Sequence, residues 1–179
     1  MIRLNSHELR AAKPKTATTL HQSVKKHPIV FVLDNIVDTY NLGSFFRLAE
    51  ALAIKEICLC GSVVTPPNIK IHRASIGTWK FVTWRHFDRV GDCIKKLRDN
   101  GYSIIACEQT LGSIDYQKYK PKFPLAIIFG SEQNGVGEST LKNVDHCLEI
   151  PMYGINKSLN VLVSASVLGY HLVSQIKPK

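Results

Sequence analysis

Short apolar runs recur along this chain from residue 28 onward, and segments with helical spacing of apolar residues separate most of them. Six runs have the length and composition of buried strands, at residues 29–33, 57–60, 81–84, 103–107, 125–129 and 147–150. Helical spacing predicts helices over residues 42–52, 90–97, 138–143 and 158–176. Because the strand runs do not alternate apolar and polar residues, both faces of the sheet should be covered. The pattern therefore predicts an α/β fold, a mostly parallel sheet with helices on both faces.

Ligands of open parallel sheets bind beyond the carboxyl ends of the strands, so the loops after residues 33, 107, 129 and 150 are the candidates for a site. The first loop opens the helix predicted at 42–52, and Asn41 is a candidate N-cap for it. Gly43 in the first turn indicates close packing or a close ligand. Arg47 lies four residues further on, on the same side of the helix as Gly43.

The loop at residues 130–137 follows an apolar strand and contains three glycines, Gly130, Gly135 and Gly137. Glycines at this density allow a sharp bend and a close ligand approach. The loop matches neither the P-loop pattern nor the dinucleotide-binding pattern, so nucleotide-triphosphate binding is not supported. Glu132 has only small and polar neighbours here, which favours a functional role over a plain turn.

The third loop, residues 150–160, precedes the longest predicted helix. Ser158 is a candidate N-cap, which would place Asn160 in the first helical turn, where asparagine is a mediocre helix former. The amide of Asn160 is therefore available for a ligand. The helix itself is apolar nearly all round, which predicts burial against its own domain and possible contact with a partner chain.

Charge and composition narrow the function. The net charge of +9 favours a polyanionic partner, of which nucleic acid is the commonest. Residues 1–27 hold six Lys or Arg residues against one acid, without clear periodicity, and predict a basic N-terminal extension to a domain at 28–179. No apolar run is long enough for a membrane span, and no signal peptide is evident.

Cysteine and histidine patterns indicate neither a disulfide framework nor a metal site. The five cysteines are odd in number and form no C-x-x-C pair, so core thiols and a reducing cytoplasm are expected. The seven histidines form none of the motifs that bind zinc.

Four segments carry a combined resemblance to a known family. The first loop contains Asn41-x-Gly43-x-x-x-Arg47 and the second contains Phe129-Gly130-Ser131-Glu132-x-x-Gly135. The third contains Ile150-Pro151-Met152-x-Gly154 and Ser158-Leu159-Asn160-Val161, and a further segment is Arg73-Ala74-Ser75-x-Gly77. In this order they resemble the TrmH (SpoU) branch of the SPOUT RNA methyltransferases, over residues 28–176.

The resemblance implies features that the residue patterns do not show. It implies a C-terminal trefoil knot, a homodimer, and S-adenosylmethionine bound in the knot as methyl donor, with no metal. Carried over by position, the donor-binding residues are Gly130, Ile150, Met152 and Leu159, with Thr110 as a looser match. The catalytic set is Asn41, Arg47, Glu132, Ser158 and Asn160. The implied product is a ribose 2′-O-methyl group in tRNA or rRNA.

A ribose hydroxyl is a poor nucleophile until a base removes its proton. The resemblance makes the residue at position 47 the proposed base, yet a free guanidinium stays protonated near neutral pH. We therefore expect Arg47 to bind the substrate phosphate and orient the hydroxyl, with Asn41, Glu132, Ser158 and Asn160 holding it and the ribose. Two alternatives remain: a non-catalytic RNA-binding protein of the same fold, and an RNA base methyltransferase.

Overall fold

The computed structural model describes residues 4–176. Its strands are β1 (His27–Asp34), β2 (Ile54–Cys60), β3 (Trp84–Phe87), β4 (Ser103–Cys107), β5 (Ile114–Asp115), β6 (Leu125–Phe129) and β7 (His146–Glu149). Its helices are α1 (Ser6–Ala11), α2 (Pro14–Ser23), α3 (Thr39–Ala51), α4 (Ile69–Ala74), α5 (Val90–Asp99), α6 (Glu138–Leu141) and α7 (Val161–Ser174). The strands form one sheet in the order β3-β2-β1-β6-β4-β7-β5, and every pairing is parallel.

Two apolar cores cover the two faces of the sheet and confirm the predicted α/β fold. On β1, Phe31 and Leu33 belong to the core that includes α3 and α7, whereas Val30 and Val32 belong to the core beside α5. Side chains of a strand point to alternate faces, so an apolar residue is needed at every position. This double burial explains why the runs do not alternate. The knot implied by the resemblance stays a prediction.

The third strand lies three residues later than predicted. The run at 81–84 was expected to form it, but residues Thr78–Phe81 form a 3-10 turn and β3 begins at Trp84. Phe81 and Val82 are buried beneath the sheet edge, whereas β3 carries polar side chains. Because an edge strand needs no continuous apolar face, the apolar run marked the turn that precedes the strand.

Both predicted helix caps are wrong by two or three residues. Asp38 caps α3 by accepting a 2.8 Å hydrogen bond from the Tyr40 N–H, so Asn41 lies inside the first turn. Asn160 caps α7 by accepting a 2.8 Å hydrogen bond from the Leu162 N–H, so Ser158 precedes the helix. In each case an equally good cap residue stood nearby, and cap propensity alone did not separate them.

The structure adds helices that the periodicity did not predict. In the family-like segment 73–77, Arg73 and Ala74 end α4, which Asn68 caps, and residues 75–77 form the turn that follows. Gly43 packs on this helix: a Cβ there would lie 2.5 Å from the Ala74 Cβ, so close helix packing explains this glycine. The segment at 1–27, whose sequence shows no clear periodicity, contains α1 and α2 within its described part.

Candidate active site

A cleft of about 520 Å³ opens at the carboxyl ends of β4, β6 and β7. Its lining comes from three segments, residues 107–109, 129–135 and 148–164. All three follow parallel strands, so the topology brings their polar side chains and free backbone groups to one edge of the sheet. The cleft is therefore the place where the sequence patterns of three loops meet.

The charged side chains that line the cleft are all acidic. Glu108, Glu132 and Glu149 lie in its wall, and among the described lining residues there is no Lys, Arg or His. This contrasts with the net charge of +9 for the whole chain. A concave site lined by one sign of charge concentrates ligands of the opposite sign. The cleft thus favours a ligand with cationic groups and disfavours phosphate.

Two glycines give the loop after β6 its shape. A Cβ on Gly130 would lie 2.1 Å from the carbonyl group of Gly135, so the loop folds back on itself at a distance that only glycine permits. Gly135 has a φ of +60°, and a Cβ there would lie 2.3 Å from the carboxylate of Glu108. Both positions therefore place backbone, rather than side chain, against the cleft.

Glu108 and Gln109, at the end of β4, join the three loops of the cleft. The carboxylate of Glu108 accepts a 2.8 Å hydrogen bond from the Val136 N–H and a 3.0 Å bond from the Gln109 N–H. The side-chain amide of Gln109 donates to the Lys157 carbonyl at 3.0 Å. These two residues hold the loops after β6 and β7 in a fixed relation.

A second cluster lies where α3 meets the cleft. The side-chain amide of Asn41 donates to the Glu132 carboxylate at 2.5 Å, and the side-chain amide of Asn160 donates to the side-chain oxygen Oδ1 of Asn41 at 3.5 Å. Asn160 also caps α7, so one side chain serves both the helix and the cluster. Three residues predicted from separate loops are thereby brought together.

The predicted site residues divide into those that line the cleft and those that do not. The lining includes Gly130, Glu132, Ile150, Met152, Ser158, Leu159 and Asn160. Asn41 reaches the cleft through its hydrogen bonds to Glu132 and Asn160. Thr110 lies just beyond Gln109 and is not part of the lining. Arg47 is exposed on α3, and its guanidinium makes no hydrogen bond or ion pair within residues 4–176.

Sequence reasoning missed the contribution of the loop after β4. From this loop the sequence predicted only Thr110 as a site residue, whereas Glu108 and Gln109 line the cleft and bond to its other two loops. The available signal was their position, since both directly follow a buried strand that ends at the same edge as β6. A carboxylate at that position is informative because its neighbours on the strand are apolar.

Cys107 also lines the cleft, but its thiol is held in the protonated form. Burial, aided by the Glu108 carboxylate, raises the pKa of its thiol to about 12. Because the thiolate is the nucleophilic form, Cys107 is a poor nucleophile near neutral pH.

Within residues 4–176, no group of three or more His, Cys, Asp or Glu side chains is arranged to hold a metal ion. No helix in that range is long and apolar enough to cross a membrane.

The parallel sheet with a cleft beyond its strands is an α/β fold that this chain shares with solved SpoU-type methyltransferases. An AdoMet-bound rRNA methyltransferase from Sinorhizobium meliloti has the same fold, with a TM-score of 0.79 at 23% identity over 95% of this chain and 61% of that chain. The A. aeolicus TrmH/SpoU tRNA modifying enzyme gives a TM-score of 0.79 at 21% identity, over 90% of this chain and 82% of that one.

The chain belongs to the SpoU rRNA Methylase family, whose profile matches residues 28–170. A Staphylococcus saprophyticus relative, assigned to the TrmH family of tRNA/rRNA methyltransferases, is 31% identical over 143 residues, 80% of this chain. The chain spans only 57% of the length of that relative. The 23S rRNA (guanosine-2'-O-)-methyltransferase RlmB of Vibrio parahaemolyticus is 27% identical, over 95% of this chain and 71% of that protein.

Proposed function

We propose that this chain transfers a methyl group from S-adenosylmethionine to a ribose 2′-hydroxyl of RNA, in tRNA or rRNA. The observation that carries the proposal is an acidic cleft, next to the Asn41–Glu132–Asn160 cluster, in a chain of net charge +9. The donor carries a sulfonium and an ammonium group, whereas RNA is a polyanion. The cleft suits the donor, and the basic remainder of the protein suits the RNA.

The residues of the cleft fit this donor. S-adenosylmethionine supplies a methyl group that its sulfonium already activates. The backbone near Gly130, Ile150 and Leu159 would hold it, with Met152 in apolar contact. Glu108 and Glu132 place negative charge in the wall of the cleft, and this charge would attract the cationic groups of the donor. Thr110 stays a weaker candidate, since it lies outside the lining.

The acceptor side is formed by α3 and the start of α7. The free, exposed guanidinium of Arg47 is available for a bidentate bond to the phosphate beside the target ribose. Glu132, Ser158 and Asn160 line the part of the cleft that Asn41 closes, and they position the ribose hydroxyl. Holding the hydroxyl in line with the methyl group is the main source of rate in such a transfer.

We also propose that the protein is a homodimer. Val163, Val167 and Tyr170 lie at i, i+4 and i+7 on α7, and Val163 and Tyr170 are 46% and 59% exposed. Tyr40 on the neighbouring helix α3 is 66% exposed. An apolar stripe on a helix that already buries its other face indicates a protein interface. A second copy of the chain is the occupant that the family resemblance implies.

A cytoplasmic location completes the proposal. All five cysteines are free, and Cys58, Cys60 and Cys93 are buried. Unpaired thiols without a disulfide framework are typical of proteins in a reducing compartment.

The proposal is tested by methylation of total tRNA and rRNA with labelled donor, followed by nucleoside mass spectrometry. We expect 2′-O-methyl label in one RNA class from a protein that elutes as a dimer in light scattering. Arg47→Ala should abolish transfer and leave donor affinity by calorimetry near the wild-type value, whereas Arg89→Ala, an exposed guanidinium on the far side of the sheet, should change neither. Label on a base, or donor binding without any label, would contradict the proposal.

A further inference from the structure

Two long stretches of the chain contain no acidic residue, and the fold packs them together. Residues 9–33 and residues 57–87 contain neither Asp nor Glu. The first stretch includes the last three residues of α1 and all of α2, and the second includes α4 and the 3-10 turn Thr78–Phe81. That turn contacts both α2 and α4. Basic residues from distant parts of the sequence therefore share one region of the surface.

Direct hydrogen bonds fix this arrangement. The Lys80 ammonium donates at 2.9 Å to the carbonyls of Arg10 and Ala12, which lie at the carboxyl end of α1. A Cβ on Gly77 would lie 2.7 Å from the Leu9 carbonyl oxygen, so the backbones are in close contact. Ala17 on α2 is buried. The first helices are thus seated on the domain rather than detached from it.

The resulting α1–α4 surface carries the exposed side chains of Arg10, Lys13, Lys70 and Arg73. Within the described part of the chain, none of the four forms an ion pair. By contrast, Arg85 in the same stretch is neutralised by Glu56. The four charges are therefore free to attract a polyanion.

His72 on α4 lies beside the basic residues of this surface. Partial burial and then the charges of Lys80 and Arg10 lower the pKa of His72 below its ordinary value. Its Nδ1 atom accepts a 3.2 Å hydrogen bond from the Trp79 indole N–H, an arrangement that requires the neutral ring. Lys80 and Arg10 thus lie close enough to His72 of α4 to disfavour its protonated form.

The α1–α4 surface and the cleft flank the same helix. On α3, Asn41 touches Glu132 at the cleft, and Gly43 packs against Ala74 of α4. Arg47 lies one helical turn beyond Gly43 on the same side. The α1–α4 surface and the cleft therefore both adjoin α3, and the exposed Arg47 lies on the side of α3 that packs against α4.

We propose that the α1–α4 surface binds the phosphate backbone of the RNA substrate beside the nucleotide that enters the cleft. This inference rests on the proposed RNA methyltransferase function and adds where the RNA lies. Phosphate contacts of this kind position the RNA without reading its sequence, so the surface contributes affinity and orientation rather than choice of nucleotide.

The test compares three double charge reversals of equal net charge. Arg10→Glu with Lys13→Glu changes α1 and the segment that follows it, and Lys70→Glu with Arg73→Glu changes α4. Lys95→Glu with Lys96→Glu is the control, because both lysines are exposed on α5, which covers the opposite face of the sheet. Affinity for fluorescein-labelled tRNA and for fragmented rRNA is measured by anisotropy across about 50 to 200 mM salt.

We expect both test variants to weaken RNA binding by about tenfold at the lower salt and to reduce the salt slope by about two, one for each lost contact. The control variant should bind RNA much as the wild type does. Donor affinity by calorimetry should be unchanged in all three, with circular dichroism confirming the fold.

Equal RNA affinity for the α4 variant and the α5 control would overturn the inference. A loss confined to the Arg10 and Lys13 variant would also overturn it, since only the N-terminal segment would then bind. Wild-type protein that binds neither RNA pool would overturn it as well. Failure of the proposed reaction is seen separately, as absent donor binding or absent methyl transfer alongside intact, surface-dependent RNA binding.

Discussion

The side-chain amide of Asn41 donates a 2.5 Å hydrogen bond to the carboxylate of Glu132, which lies 91 residues later in the chain. The bond joins the first turn of α3 to the glycine-rich loop after β6. The side-chain amide of Asn160 donates in turn to the side-chain oxygen Oδ1 of Asn41. All donors in this chain of bonds point toward Glu132, so its carboxylate is held as an acceptor at the edge of the cleft.

Replacing Asn41 with aspartate tests whether Glu132 needs a hydrogen-bond donor at position 41. Asn41→Asp places a second carboxylate against Glu132, and like charges at hydrogen-bond distance repel. We expect kcat at neutral pH to fall further in Asn41→Asp than in Asn41→Ala, which removes the bonds to Glu132 and Asn160 without adding a charge. As the pH falls, one of the two carboxyl groups takes up a proton and restores a bond to the other. The activity of Asn41→Asp relative to wild type should therefore rise toward acidic pH, whereas that of Asn41→Ala should not.

Glu108 should contribute to donor binding through both its charge and its bond to the Val136 N–H. An attraction between the Glu108 carboxylate and a cationic group of the donor should contribute about as much as a charge-assisted hydrogen bond, about 1.5–3 kcal/mol, and its loss corresponds to about tenfold or more in affinity. We expect Glu108→Gln to weaken S-adenosylmethionine binding by this amount in calorimetry. The product S-adenosylhomocysteine lacks the sulfonium charge, so its affinity should fall less.

Glu138→Gln is the matched control for Glu108→Gln, because Glu138 is exposed on α6 and does not line the cleft. It should leave both affinities unchanged. Equal losses for donor and product in Glu108→Gln would show that the carboxylate acts only by holding the loop.

The glycine loop offers a steric test with its own control. A Cβ at Gly130 would lie 2.1 Å from the Gly135 backbone, whereas a Cβ at Gly137 would meet nothing within 4 Å. Gly130→Ala must displace the loop backbone, and we expect a loss of donor affinity and a lower Tm. Gly137→Ala should leave donor binding and Tm near the wild-type values. If the two variants behave alike, the close approach at Gly130 is not what shapes the cleft.

Strand positions were well predicted because burial on both faces leaves a clear signal. β4 and β6 begin and end where the apolar runs predicted. Short edge elements carry no such signal, and the two-residue strand Ile114–Asp115 was missed. α4 was missed because it is only six residues long, two of them charged, and its helical state depends on packing against Gly43 of α3.

Most residues of the site were predicted from the sequence, but the hydrogen bonds between its loops were not. The loops that supply Glu132 and Asn160 were identified, while the bond from Asn41 to Glu132 spans a separation that no local pattern encodes. Glu108 was missed for the same reason, since its partner Val136 is distant in sequence. Hydrogen bonds between loops depend on strand order, and strand order is a property of the whole fold.

Asp145, directly before β7, bonds to β4 and α5 and should make stability depend on pH. Its carboxylate accepts a 2.7 Å hydrogen bond from the Ile104 N–H and a 2.9 Å bond from Arg98. Burial by itself tends to raise the pKa of Asp145, but the bonds from Ile104 and Arg98 outweigh it and hold the pKa below the ordinary 3.8. The folded protein thus binds protons at this site less readily than the unfolded chain does.

A lowered pKa in the folded state means that this contribution to stability is complete above the ordinary pKa and is lost as the pH falls through the folded value. Because the side chain is 35% exposed, solvent screening reduces the expected effect of Asp145→Ala to about 1–2 kcal/mol in the free energy of unfolding at pH 7. Urea denaturation should show this deficit at pH 7 and a smaller one below about pH 4. Asp99→Ala, at an exposed carboxylate without a partner in the described chain, should show no deficit at either pH. A deficit in Asp145→Ala that is constant across pH would show that packing, and not the charge of the carboxylate, joins β4 to the segment before β7.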